Sequence, residues 1–364
     1  MTLKKIFFSL LVAMVCLHAS GQTAKSEYQN RIDLINQNIY RYFHDQSTGL
    51  YYETNNHLLD QNKHSFLWPL CALVQAANEM ERLEGSKTYL KPVLKAIDQY
   101  YNSNPPTPGY QSYVTKERTD TRYYDDDQWI GIACMDAYNR TGKKQYLDIS
   151  RTIYKFMMTG YDTVSGGGIY WREKDKTTKN TCSNGPGILL ALQLYNVTKQ
   201  KSCLDTAILL YNWTNKWLLS PEGVYWDNIR LPGGKISRAT FTYNTGTMLQ
   251  ANVLLYKATG NQKYLQEAQR LATAAERYFY KNNKLPGNYW FNAVLLRGYE
   301  ELYKVEKNAD RLKFFYADAD RIWQQEKDEN GLVGKEKSKK LIDQAAMIEI
   351  YARLEALRAD KSKD

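Results

Sequence analysis

The sequence is poor in histidine, cysteine and proline, and it has no apolar stretch long enough to cross a membrane. Among 364 residues there are four histidines, five cysteines and nine prolines. The main apolar run, Ile6 to Leu17, has twelve residues, whereas a spanning helix needs ~20. Apolar residues make up 43% and charged residues 24% of the chain. These values exclude multi-span membrane, collagen-like and disordered classes.

The motifs of several chemistries are also missing. No H-E-x-x-H, G-x-S-x-G or dinucleotide fingerprint occurs, and the glycines at 166–168 are not followed by the Lys-Ser/Thr of a phosphate loop. Apart from His18, the histidines are His44, His57 and His64, which form no evident metal-ligand set. We therefore expect neither a metal nor a cofactor.

The cysteines beyond residue 21 form no C-x-x-C pair. They are Cys71, Cys134, Cys182 and Cys203. Three of them fall within or at the start of apolar helical runs, where a free cysteine behaves as a small core residue. The spacing does not require a disulfide.

Residues 1–21 resemble a secretory signal. A short basic start with Lys4 and Lys5 precedes the run Ile6 to Leu17, and Ala19-Ser20-Gly21 supplies small residues for cleavage. We expect an exported protein, in the periplasm, at the cell surface or secreted, with one domain over residues 22–364. Lipidation of Cys16 is the alternative, although the preceding Val15 is large for that motif.

The net charge of +10 does not indicate a nucleic-acid partner. The dense basic run, Lys335 to Lys340, is interpreted as a solvated loop and helix start, because no recognition helix or zinc knuckle accompanies it. Aromatic residues are more informative: 30 Tyr, 8 Trp and 10 Phe make up 13% of the chain. Side chains with an apolar body and a polar tip suit sugar rings, and they also suit protein interfaces.

A turn signal recurs along the chain at intervals of about 60 residues. It occurs at Glu84-Gly85, Thr141-Gly142, Thr198-Lys199 and Thr259-Gly260. The helix before each turn is apolar nearly all round, as in 129–137, and the helix after it is amphipathic, as Tyr146, Ile149, Ile153 and Phe156 show. Helices of the first kind are buried and those of the second have one wet face.

This alternation predicts an all-α fold, an (α/α)6 toroid of six helix pairs. About twelve long helices are expected, with the last near 341–357. The links after the outer helices share a Gly-aromatic signature, as at 168–171 and 223–226. Because alternate links emerge at one end of such a ring, that end is the expected binding face.

Three consecutive carboxylates stand where one inner helix begins, at Asp125-Asp126-Asp127 between Tyr124 and Trp129. They have two interpretations. Aspartates cap helices and complement the helix dipole. Alternatively, two of them form the carboxylate pair that most glycosidases use. Three acids exceed what a cap needs, and aromatic residues flank them on both sides.

The pattern Tyr-Tyr-Asp-Asp-x-x-Trp at 123–129 resembles the endo-α-1,6-mannanases of glycoside hydrolase family 76. The segments 166–171, 180–185 and 243–246 extend the resemblance over most of the chain beyond residue 21. It implies a retaining hydrolase that cleaves internal bonds of α-mannan, acts as a monomer and needs no cofactor.

The resemblance implies that Asp125 is the nucleophile and Asp126 the acid/base, because Trp129 stands three residues after Asp126 as in the family motif. Asp127 is expected to cap the helix or to support the pair. The expected substrate-binding residues lie on the inferred binding face, and a cap or core role remains open for the asparagines among them. They are Trp68, Tyr124, Trp129, Tyr170, Asn180, Asn184, Tyr225, Tyr243 and Asn244.

Other hypotheses remain open from the sequence. They are a different α/α-toroid glycosidase or a transglycosidase on mannose glycans, a glycan-binding protein without catalysis, and a helical-repeat scaffold for protein partners. The intact carboxylate pair disfavours the last two.

Export is directly testable. We expect the mature protein to begin near Gln22, because signal peptidase prefers small residues before its cleavage site. N-terminal sequencing of the protein from its native host checks this. Retention of Met1 on a cytoplasmic protein would contradict it.

Overall fold

The computed structural model describes residues 25–85 and 87–361, so the signal prediction for residues 1–21 lies outside the described residues. In these ranges the chain forms twelve α-helices. They are α1 (Glu27–Tyr42), α2 (Leu67–Glu84), α3 (Leu90–Ile97), α4 (Tyr124–Thr141), α5 (Lys144–Met158), α6 (Thr181–Thr198), α7 (Lys201–Leu218), α8 (Thr242–Thr259), α9 (Gln262–Phe279), α10 (Tyr289–Glu306), α11 (Lys313–Gln325) and α12 (Leu341–Lys361). No helix in the described ranges is long and apolar enough to cross a membrane.

The even-numbered helices form a closed inner ring. Each packs against the next in chain order, and α12 packs against α2 to close it. Their surfaces are apolar nearly all round, and in α6 every residue from Thr181 to Leu194 is buried. Such helices are stable only when neighbours cover every side. The odd-numbered helices form the outer layer, so the predicted (α/α)6 toroid is confirmed.

The outer helices bury one face each. In α5 the buried residues include Leu147, Ser150, Ile153 and Phe156, whose spacing follows the helical repeat. The predicted turns are also confirmed: α2, α4, α6 and α8 end at the positions that the repeat indicated. Gly142 and Gly260 end two of these helices with φ of 69° and 70°, a conformation that glycine adopts without strain.

The links after the outer helices contain strands that the sequence analysis did not predict. Two pairs of two-residue strands, β1 (His44–Asp45) with β2 (Leu50–Tyr51) and β3 (Tyr101–Asn102) with β4 (Gly109–Tyr110), form small hairpins. The links after α5 and α7 together build an antiparallel sheet in the order β5-β6-β7-β8. Its strands are β5 (Tyr170–Arg172), β6 (Asp175–Asn180), β7 (Trp226–Arg230) and β8 (Lys235–Thr240).

This sheet crosses from one link to the other, which explains why periodicity along the chain did not reveal it. The central pairing joins β6 to β7, which lie about 50 residues apart in sequence, and Asn180 is directly opposite Asn228. β6 leads directly into α6, and β7 continues through β8 into α8. The sheet therefore sits at the end of the ring where the inner helices begin.

A buried lysine fixes the glycine-rich loop beside this sheet. The Lys179 side chain is fully buried, and its Nζ donates to the carbonyl oxygens of Val164 at 2.8 Å and Gly167 at 2.6 Å. It also pairs with Asp162 at 2.7 Å. A buried ammonium is tolerated only when acceptors surround it. The anchored strand places the next residue, Asn180, at the end of the inner ring.

Candidate active site

An open cleft of about 780 Å³ lies at the end of the ring where the inner helices begin. Side chains from α2, α4, α6, α8 and α10 form its floor, and the four-stranded sheet forms one wall. A larger groove of about 920 Å³ runs between α3 and α5 in the outer layer, and none of the predicted site residues lines it. The cleft at the ring end is therefore the candidate site. In the described ranges no group of three or more His, Cys, Asp or Glu side chains is arranged to hold a metal ion.

The three aspartates occupy the first turn of α4. The residue that precedes the helix is Tyr123, and its side chain makes no capping hydrogen bond. The aspartates are thus not the N-cap residue, although their charges lie at the positive end of the helix dipole. Asp125 and Asp126 line the cleft and are partly exposed, whereas Asp127 is fully buried.

Asp125 has a polar environment within the floor. Burial raises the pKa of its carboxyl to about 6, and the Cys182 thiol, the Trp171 indole and backbone N–H groups oppose a larger rise. Its Oδ1 has no close hydrogen-bond partner among the described residues. Asp125 is therefore a carboxyl group that ionises near neutral pH and keeps one oxygen free of protein partners.

Asp126 has no comparable group of donors. Burial and the negative charge of Asp125 raise the pKa of Asp126 well above its ordinary value, and Asp127 adds to the rise. Two carboxyl groups at such proximity cannot both ionise readily. The environment consequently favours an ionised Asp125 beside a protonated Asp126.

Asp127 and Arg122 hold the start of α4 in place. Asp127 Oδ1 accepts a hydrogen bond from the Tyr110 N–H at 2.9 Å, which ties α4 to β4. Arg122 is buried, donates to the carbonyl of Thr107 at 2.8 Å and bonds Glu173 at 2.9 Å. Asp127 therefore supports the pair through its hydrogen bond from Tyr110 and does not cap the helix. Of the two roles expected for Asp127, the contact favours support of the pair.

The floor of the cleft beside the pair is aromatic. Trp290 on α10 makes edge contacts with Trp68 on α2 and Trp129 on α4, at ring-centre distances of 5.6 and 5.7 Å. Tyr243 on α8 stacks on Phe291 at 4.0 Å. Aromatic side chains suit the apolar faces of sugar rings. Of these five residues, the sequence analysis proposed Trp68, Trp129 and Tyr243.

The wall formed by the sheet is polar. Asp227 on β7 accepts from the side-chain amides of Asn228 at 2.7 Å and Asn180 at 3.5 Å. Since both amide N–H groups point to Asp227, the two amide oxygens are left without partners among the described residues. Buried acceptors of this kind are costly unless a donor reaches them. They fit a ligand that carries hydroxyl groups.

The structure does not bring five of the proposed binding residues into the cleft. They are buried elsewhere: Tyr124, Tyr170, Asn184, Tyr225 and Asn244.

The contacts of three of them give the physical reason. Tyr170 donates its hydroxyl to Asp162 at 2.9 Å, and Asn184 bonds the backbone of Ile169. The Tyr124 ring packs on Phe156 beneath the start of α4. Because neighbouring residues of a helix or strand point in different directions, closeness in sequence to a site residue did not place these side chains in the cleft.

Several cleft residues were missed by the sequence analysis, including Cys182 and Phe291. Trp171, Asp227 and Asn228 lie on the sheet, whose strands were not predicted. Trp290 lies one residue into α10, and no motif marks it. The Gly-aromatic links were the available signal, since Trp171 ends the link at 168–171, and Asp227 and Asn228 follow the link at 223–226.

The cleft thus holds two neighbouring carboxyl groups with different environments, between aromatic and polar walls at the end of an α/α toroid. Glycoside hydrolases use sites of this kind. The comparison with known families agrees. The model of glycosyl hydrolase family 76 matches residues 27–360, and the chain belongs to this family.

Solved structures share the fold. A family 76 α-mannanase of Bacteroides thetaiotaomicron is 24% identical, with a TM-score of 0.86 over 93% of this chain and 98% of that one. An α-1,6-mannanase of Salegentibacter is 23% identical, with a TM-score of 0.80 over 91% of this chain and 100% of that one. The latter is an inactive variant with two adjacent aspartates replaced, in complex with α-1,6-mannotriose.

Curated relatives match over part of their length. The mannan endo-1,6-α-mannosidase of Candida glabrata is 28% identical over 189 residues, which is 48% of this chain and 42% of the relative. That of Saccharomyces cerevisiae is 26% identical over 184 residues, 46% of this chain and 41% of the relative. The chain thus spans less than half of the length of these two curated relatives.

The buried Asp127 link yields a prediction on stability. Burial raises the pKa of Asp127 well above its ordinary value, which favours the protonated carboxyl, a group similar in shape to an amide. We expect Asp127→Asn to keep the bond from Tyr110 and to change the free energy of unfolding by less than about 1 kcal/mol. Asp127→Ala leaves the buried Tyr110 N–H without an acceptor and should lower the free energy of unfolding by about 1–3 kcal/mol.

Denaturant unfolding of the two variants beside the unmodified protein measures this difference. If the asparagine and alanine variants were equally unstable, the bond to Tyr110 would not be what Asp127 contributes.

Proposed function

We propose that the protein is a retaining glycoside hydrolase that cleaves internal α-1,6-mannosidic bonds of mannan backbones. The observation that carries this proposal is the Asp125–Asp126 pair at the floor of an open cleft, where burial raises the pKa of both carboxyl groups and the charge of Asp125 raises that of Asp126 further. Membership of family 76 supports it, as do the names of the relatives and the α-1,6-mannotriose bound by the Salegentibacter enzyme.

The reaction runs in two displacements. In the first, Asp126 gives its proton to the glycosidic oxygen as the Asp125 carboxylate attacks the anomeric carbon. The bond to the leaving chain breaks, and a glycosyl ester forms on Asp125. In the second, the Asp126 carboxylate takes a proton from water, whose oxygen attacks the same carbon and releases Asp125. Inversion occurs twice, so the anomeric configuration is retained.

The local electrostatics suit this division of roles. A nucleophile must be ionised and a general acid must hold its proton at the same pH. Thiol, indole and backbone donors around Asp125 favour its charged form, whereas the charge of Asp125 favours the proton on Asp126. When the first displacement neutralises Asp125, the pKa of Asp126 falls, which prepares it to act as a base.

The walls of the cleft suit a mannose chain. We infer that Trp68, Trp129 and Tyr243 contact the apolar faces of successive sugar rings, and that Asn180 and Asn228 accept hydrogen bonds from their hydroxyl groups. The cleft is open, which lets an internal segment of a long chain lie across the pair. An enclosed pocket would instead select chain ends.

We further propose that residues 22–364 form one catalytic domain that is exported. The family match over residues 27–360 supports the extent of the domain, and the basic and apolar start of the chain supports export.

The assay that tests the proposal is digestion of linear α-1,6-mannan with products separated by size. We expect a mixture of oligosaccharides at early times, because cleavage occurs within the chain. Asp125→Asn and Asp126→Asn should each lower kcat by several orders of magnitude, with circular dichroism unchanged. The Asp127→Asn variant is the matched control, since it changes the adjacent aspartate in the same way.

Azide separates the two roles. Asp126→Asn should be rescued by azide on a substrate whose leaving group needs no proton, giving a product of retained configuration, whereas Asp125→Asn should give no product of retained configuration. Release of mannose alone from the start would contradict internal cleavage, and products longer than the substrate would identify a transferase. If the intact protein left the mannan uncut, the proposed activity would be wrong.

A further inference from the structure

One row of the cleft wall carries two positive charges side by side. Arg230, the last residue of β7, lies directly opposite Lys235 on β8 and Thr178 on β6. Residues directly opposite in an antiparallel sheet project from the same face, with Cβ atoms about 4.5–5.5 Å apart. Thr178 and Arg230 both line the cleft, so the row faces it. Asn180 and Asn228 form the neighbouring row toward the inner helices.

Neither cation has a carboxylate partner within residues 25–85 and 87–361, and both side chains are exposed. Acids of the cleft and of the sheet are engaged elsewhere: Asp120 pairs with Arg118, and Asp175 with Arg172. Asp227 is bound by two asparagine amides.

This arrangement is unfavourable for the free sheet. Like charges that are directly opposite across two strands destabilise the pair. Without a bound anion, the two positive charges do not stabilise the β7–β8 hairpin. The arrangement becomes favourable if an anion binds between the two side chains.

We propose that Arg230 and Lys235 form a subsite for a phosphate ester carried by the mannan chain in the cleft, an inference that rests on the proposed function. A phosphate group presents three acceptor oxygens and up to two negative charges. A guanidinium binds two of these oxygens with parallel hydrogen bonds, and an ammonium supplies a second charge. Thr178 adds a hydroxyl donor in the same row. A phosphate therefore fits the row better than a carboxylate, which has one charge and two oxygens.

The experiment compares two α-1,6-mannotetraoses that differ by a single phosphate monoester on a hydroxyl group. The unmodified protein should show a kcat/KM for the phosphorylated chain roughly fivefold above that for the neutral chain at low ionic strength, the gain expected of two exposed charge contacts. High salt should remove most of this ratio, because it screens exposed charges.

Substitution tests the residues. Lys235→Gln should reduce the ratio, and the double variant Arg230→Gln with Lys235→Gln should bring it to one or below. Lys201→Gln is the matched control, because it removes the same charge from α7, where Lys201 is 82% exposed and pairs with Asp205. That variant should keep the full ratio.

The outcomes separate this inference from the proposed function. Cleavage of the neutral chain by the unmodified protein, with a ratio of one for both the phosphate monoester and a phosphodiester, overturns the subsite alone. No cleavage of either chain overturns the proposed function. A ratio that the Lys201 variant loses equally would attribute the effect to overall charge and overturn the subsite. A third chain with a phosphodiester tests the source: a gain only for the diester identifies a bridging phosphate, and a gain only for the monoester a terminal one.

Discussion

The repulsion between two adjacent carboxyl groups at the start of α4 is the constraint on which the site depends. Placed side by side on the floor of the cleft, Asp125 and Asp126 repel each other when both are charged, so their surroundings determine which one keeps its proton. Hydrogen-bond donors surround only one of the two carboxyl groups, that of Asp125. The Cys182 thiol and the Trp171 indole lie toward Asp125, whereas Asp126 has the charge of its neighbour. The chemical division of labour follows from this asymmetry.

The rest of the fold maintains that asymmetry. The closed inner ring places the first turns of α4 and α6 beside each other, which brings Cys182 to Asp125. Asp127 ties α4 to β4. Lys179 anchors the glycine-rich loop that precedes β5, and β5 and β6 carry Trp171 and Asn180. Burying an ammonium and a third carboxyl group opposes folding. Their positions around the pair indicate that this part of the structure serves the site.

The sequence allowed the ring, its repeat, its turns and the carboxyl pair to be predicted, because helical periodicity and adjacent acids are local features. It did not allow the sheet to be predicted, since β6 and β7 pair across two different links. The missed residues Asp227 and Asn228 depend on that pairing. Tyr170 and Asn184 were assigned to the site because of their motif, yet their side chains point into the protein, which spacing alone does not reveal.

The most direct test of the account is titration of the two carboxyl groups by carbon-13 NMR on protein labelled at aspartate, with the Asp125→Asn and Asp126→Asn variants used to assign the signals. The account predicts that Asp125 ionises near pH 6 and that Asp126 keeps its proton until a higher pH. It also predicts that the pKa of Asp126 falls in the Asp125→Asn variant, because the neighbouring charge is then gone. Ionisation of Asp126 before Asp125, or of both at the ordinary value for aspartate, would contradict it.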